Sequence, residues 1–108
     1  MIDTTSARSR LERQLAELEA RQAHLASDLA EPLDPDSSER AIEVEDEASL
    51  EAQANLVANE IASTRRALDR IADGTYGDCV RCGAEIGAGR LEARPEAALC
   101  IGCASRDA

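Results

Sequence analysis

Cys79-Val80-Arg81-Cys82 and Cys100-Ile101-Gly102-Cys103 contain all four cysteines of this chain, with 17 residues between the pairs. Two C-x2-C pairs at such a separation have the spacing of a four-thiolate zinc site. Two residues between ligands let both sulfurs of one turn point at a single tetrahedral ion. Gly83 and Gly102 supply small residues for tight turns whose amides can face the thiolates. Four Cys ligands close the coordination shell and leave no position for water. One structural zinc ion held by Cys79, Cys82, Cys100 and Cys103 is therefore expected. The apolar residues around it (Tyr76, Val80, Ile86, Leu91, Leu99 and Ile101) are too few to fold the segment without the ion.

Other readings of the cysteines have less support. The N-terminus, Met1-Ile2-Asp3-Thr4-Thr5, has no charged-then-apolar export pattern, which implies a cytoplasmic chain where disulfides are disfavoured. A thioredoxin-like centre needs one C-x-x-C in βαβ surroundings, and little strand pattern is present. A thiol-based oxidant sensor stays open as an alternative. No Ser-His-Asp grouping, Gly-rich phosphate loop or open metal site accompanies the cysteines, so an enzyme is not expected. The sole histidine, His24, reads as a solvated residue on a charged helix.

The elements that must carry this site are helical. Leu11, Leu15, Leu18, Leu25 and Leu29, with Gln22 in the remaining place, recur in steps of 4 and 3 and predict a helix over about 6–30. Glu31-Pro32-Leu33-Asp34-Pro35-Asp36-Ser37-Ser38 reads as a turn. Asp36, Ser37 or Ser38 can cap a second helix, with Glu39 completing a capping box. Leu50, Ala54, Val57, Ile61, Thr64, Leu68 and Ile71 form its seam, and Gly74 ends it. The fold class expected is mainly α: an antiparallel coiled-coil helical hairpin over 1–73, then a small four-cysteine zinc finger and short tail over 74–108. Folding about Asp34 places Leu18 near Leu50 and Leu11 near Val57, over roughly 35 Å of shared helix. Pairing of the seams between two chains is the alternative, but a short turn favours the neighbour within one chain, hence a monomer.

Composition agrees. Of 108 residues, 22 are acidic and 12 basic, giving a formal net charge of -10, and Tyr76 is the only aromatic. Such a chain is built from Leu, Ile, Val and Ala, and its acidity argues against holding nucleic acid. No run reaches the ~18 apolar residues of a membrane span. All twelve basic residues are Arg. Seven acids lie between Asp34 and Glu47, more than helix capping requires, and mark a working surface.

The stretch Gly74-Thr75-Tyr76-Gly77-Asp78-Cys79, with Cys82, Ile86, Arg90-Leu91-Glu92-Ala93-Arg94-Pro95 and the second cysteine pair, closely resembles the C4 zinc finger of the DksA/TraR family. Val80 departs from the polar residue common after the first cysteine. The hairpin also fits, so the resemblance spans nearly the whole chain. It implies a transcription regulator that binds bacterial RNA polymerase, not DNA. Such proteins insert the coiled-coil tip into the secondary channel, keep the finger near the rim, and alter promoter open complexes. The family's tip is Asp-x-x-Asp-x-Ala. Asp36-Ser37-Ser38-Glu39-Arg40-Ala41 matches it, with Glu39 keeping the second charge on a longer side chain. Asp34 is the other placement of the first acid, and simple helix capping by Asp36 and Glu39 is the plainer reading.

Two departures bear on partners. Family members carry a longer C-terminal helix, whereas only Ala104 to Ala108 follows the last cysteine here. They bind ppGpp jointly with polymerase through basic residues on that helix and the hairpin, so a chain without Lys leaves ppGpp co-binding open. The expectation is a compact DksA-like regulator, and the alternative is a zinc-stapled coiled-coil scaffold whose seams matter and whose tip does not.

Overall fold

A computed structural model describes the backbone of residues 4–30 and 37–107 and the side chains of 4–28 and 49–106. Four helices follow one another: α1 (Thr4–Ala30), α2 (Ser37–Asp73), α3 (Ala88–Ala93) and α4 (Ile101–Asp107). Neither α1 nor α2 contains Gly or Pro, so nothing interrupts their hydrogen-bond ladders over 27 and 37 residues. All six glycines lie after them. Among the described residues the only β pairing is an isolated bridge between Asp78 and Glu85. The mainly helical fold expected from the seams is the fold observed.

Gly74 ends α2 as expected, and by a definite device. Its φ of +79° is the left-handed conformation that only glycine adopts cheaply. That conformation lets Gly74 N–H donate to the Ile71 carbonyl at 3.3 Å and Thr75 N–H to the Arg70 carbonyl at 2.9 Å. These two bonds form a Schellman cap, and they satisfy carbonyls the helix would otherwise leave open.

The chain forms two compact units. The first joins Met1–Ala16 to Ala62–Ala108, and the second is Glu17–Ile61. In the first, Ala7 and Leu11 of α1 and Ala67 and Ile71 of α2 make one core with Tyr76, Cys79, Ile86, Leu91 and Cys103. In the second, Leu18, Leu25, Val57 and Ile61 are buried. Its described residues are two helices only, so each helix must bury the other's stripe.

One expectation is corrected. Leu11 shares a core with Ala67 and Ile71, ten and fourteen residues beyond the Val57 that the sequence suggested. The Gln14 amide donates to Thr64 Oγ1 at 3.0 Å in the same register. A seam with steps of 3 and 4 looks alike after a slip of three, four or seven residues, so apolar spacing does not fix the register.

Candidate metal centre

The two cysteine pairs are presented by different local structures. Cys79 and Cys82 sit on a tight turn in which Gly83 N–H donates to the Cys79 carbonyl at 2.9 Å and Cys79 N–H to the Ala84 carbonyl at 2.8 Å. Gly83 closes that turn at φ +78°, where any side chain would be strained. Cys100 precedes α4 and Cys103 lies in its first turn, where Ala104 N–H donates to the Cys100 carbonyl at 2.9 Å. Gly102 is therefore not a turn glycine as expected. It lies within α4, and an added Cβ would meet Cys100 Sγ at an ordinary 3.9 Å. Val80 N–H donates to the Ala98 carbonyl at 3.0 Å and ties the two segments together.

The four sulfurs lie within 4.8 Å of one another, and Cys82 Sγ and Cys100 Sγ are 3.7 Å apart. Zinc–sulfur bonds of about 2.3 Å require a tetrahedral edge of about 3.8 Å. The spacing and the all-thiol donor set therefore suit one tetrahedral zinc ion. None of the four cysteines is in a disulfide. Cys79 and Cys103 are buried in the core, Cys100 is half-buried and Cys82 is exposed, so the site spans interior and surface.

Amides prepare the site for negative sulfur. In the metal-free thiol set, the Cys100 amide, helped by that of Cys82, holds the Cys79 thiol down to about 6. The Cys103 amide lowers Cys100. Burial, and next the hydrogen bond to Cys100, push Cys103 up to about 12. Without metal the cluster thus keeps a proton on Cys103, and binding a divalent cation would displace it. All four metal ligands expected from the sequence come together.

A ring of contacts fixes this centre to the helices. Tyr76 OH donates to the Pro95 carbonyl at 3.0 Å, and burial, the leading effect on this phenol, raises its pKa and keeps it a donor. Arg70 Nη2 donates to the carbonyls of Glu96 and Ala97, both at 3.4 Å, and Arg10 donates to the Glu92 carbonyl. Arg90 Nε reaches the Leu99 carbonyl at 2.9 Å, just before the third ligand. Of these, Tyr76 and Arg90 stand in the quoted motif. Arg10 and Arg70 look like solvated helix residues in the sequence, which gives no signal of their role.

The tip is a different case. Asp34 and Asp36 lie outside the described residues. Glu39 and Ala41 lie in the helical backbone of α2, and their side chains are not among those described.

Residues 74–107 match the prokaryotic dksA/traR C4-type zinc finger, and residues 8–71 match the DnaK suppressor protein-like N-terminal domain. The RNA polymerase-binding transcription factor DksA of Escherichia coli strain K12 is 43% identical over 70 residues, covering 64% of this chain and 46% of that protein. The same-named protein of Haemophilus influenzae is 42% identical over 73 residues, with 64% and 48% covered. The chain thus spans about half the length of the curated relatives it matches. Transcription factor DksA2 from Pseudomonas aeruginosa superposes with a TM-score of 0.82 at 32% identity, covering 95% of this chain and 81% of that one. The solution structure of the DnaK suppressor protein from Agrobacterium tumefaciens gives 0.69 at 30% identity, covering 98% and 95%. With a helical hairpin and a four-cysteine zinc site matched in series over residues 8–107, this chain belongs to the DksA/TraR family of C4 zinc-finger proteins.

Proposed function

We propose that this protein is a non-enzymatic transcription regulator that binds RNA polymerase and works by inserting its acidic hairpin tip into the secondary channel. The observation that carries this reading is the serial match of hairpin and finger to a family whose relatives are named RNA polymerase-binding transcription factors. Charge supports it. Glu17–Ile61 has thirteen acids against two arginines, whereas the remainder has nine acids against ten arginines. A tip of that sign suits basic groups lining a nucleotide-conducting channel, and long-range attraction would speed its entry.

In this reading residues 1–73 act as the probe and 74–108 as the finger that stays outside. Asp36 and Glu39 are the working acids, Ala41 completes the family's tip pattern, and Asp34 adds charge. The protein acts as a cytoplasmic monomer without contacting DNA.

The test compares wild type with Asp36→Asn/Glu39→Gln in a purified transcription assay and in a pull-down with core polymerase. The variant should lose its effect on promoter open complexes while circular dichroism and zinc content stay unchanged. Full activity of the variant would reject the tip assignment. Failure of the wild type to bind polymerase would reject the partner and leave a zinc-stapled scaffold.

A further inference from the structure

A polar connection lies among the buried apolar residues that α1 and α2 share in the first unit. Thr64 is fully buried, and its heptad neighbours on α2, Val57 and Ile71, are buried apolar residues. Gln14 lies on α1 between buried Leu11 and Leu18. Its side-chain Nε2 donates to Thr64 Oγ1 at 3.0 Å and to Glu96 Oε2 at 3.5 Å. An amide nitrogen has two hydrogens, enough for both. Glu96 is held in turn, since its Oε1 lies 3.6 Å from Arg94 Nε and its carbonyl accepts from Arg70. Three separate parts of the chain thus meet at one side-chain amide: α1, α2, and the segment between α3 and the third zinc ligand.

We infer that Gln14, through Thr64 and Glu96, is the register lock of the hairpin. A slip of one heptad in either direction brings Val57 or Ile71 opposite Gln14, and Ala7 or Arg21 opposite Thr64. The apolar seam tolerates that exchange, because Leu11, Leu18 and Leu25 are themselves seven residues apart. Gln14 does not tolerate it, because its half-buried amide would face the carbon of Val57 or Ile71 in either slipped register. A single polar residue in a coiled-coil seam is known to select register in this way. Glu96 adds a second reading of the same register from the finger side. Gln14 is a positioning residue, and what it positions is everything α2 carries relative to α1.

Nuclear magnetic resonance of the zinc-loaded full chain tests the lock in two ways. In the wild type the Gln14 side-chain amide hydrogens should exchange with solvent much more slowly than those of exposed Gln22. Equal rates would overturn the inference without any variant. In Gln14→Leu/Thr64→Val the helices should remain folded, while the methyls of Leu11, Ala67 and Ile71 split into two slowly exchanging sets. The minor register should rise by about tenfold or more, the factor expected when an unmet buried polar group no longer penalises it. Thr64→Ser, which keeps the hydroxyl, should retain one set. A single set in the double variant, with the wild-type contacts of Leu11 to Ala67 and Ile71, would also overturn the lock.

Discussion

The two compact units solve the problem of a small core differently. Glu17–Ile61 relies on Leu18, Leu25, Val57 and Ile61 between two helices, and its net charge is -11. The other unit is close to neutral, with ten of the twelve arginines. It adds a metal site to its core and spans it with directed bonds from Arg10, Gln14, Arg70, Tyr76 and Arg90. Among the described side chains, the bonds that join distant parts of the chain surround the metal site, and the net negative charge lies in the other unit. The first unit should respond to metal and to loss of single contacts, and the second to ionic conditions.

Metal removal should separate the units most strongly. Cys79 and Cys103 share a core with Ala7, Leu11, Ala67 and Ile71, so chelation or Cys79→Ser should loosen both helix segments of that unit as well as the finger. The expected loss is on the order of 5 kcal/mol, a fraction of the ~10–16 kcal/mol that structural zinc contributes to small fingers. Hydrogen exchange should show lost protection over residues 7–14 and 64–72, with less change at Leu18 and Leu25. Protection lost only after Gly74 would mean that finger and helices fold separately. Zinc uptake should release protons at neutral pH, because burial raises Cys103 to about 12 and metal binding ionises it, and uptake should weaken as pH falls.

Core truncation sharpens the comparison. Leu11 is fully enclosed, with helix and finger residues in its cluster, so Leu11→Ala leaves a cavity that little can relax to fill. A cost of about 4–5 kcal/mol is expected, at the upper end for such truncations. Leu25 is also buried, but in a unit of two helices that can close toward each other. Leu25→Ala should cost about 2–3 kcal/mol. Denaturant midpoints check both values, and equal costs would remove the claimed difference in rigidity.

Much of this was legible in the sequence, for identifiable reasons. Tetrahedral sulfur coordination constrains spacing, so Cys79, Cys82, Cys100 and Cys103 could be read directly. Uninterrupted helix formers gave α1 and α2, and Gly74 gave the end of α2. Register was not legible, because a heptad seam repeats itself and Gln14, which meets Thr64 in one register, looks like any polar helix position. The contacts of Arg10 and Arg70 were hidden for the same reason, since an arginine that bonds a distant carbonyl resembles one that faces water. Gly102 misled because its place within a C-x-G-C turn suggested backbone strain that α4 does not have.

The smallest effect tests the charge half of the comparison. At ~0.01 M salt the Debye length is about 30 Å, and at 0.15 M it is about 8 Å. Raising sodium chloride between these values should relieve repulsion among the acids of Glu17–Ile61 and slow exchange at Leu18, Leu25, Val57 and Ile61 by a few-fold, on the order of 1 kcal/mol. Exchange at Leu11 and Ala67, in the near-neutral unit, should change much less. Glu45→Gln/Glu47→Gln should reproduce part of the gain at low salt and reduce the salt response by a similar share. Equal stabilisation of both units would indicate a general salt effect and break the link to charge. A two-helix unit that gains stability when its acids are screened would be retaining them for something other than its own fold, and a partner offering basic groups is the kind of surface on which such repulsion becomes attraction.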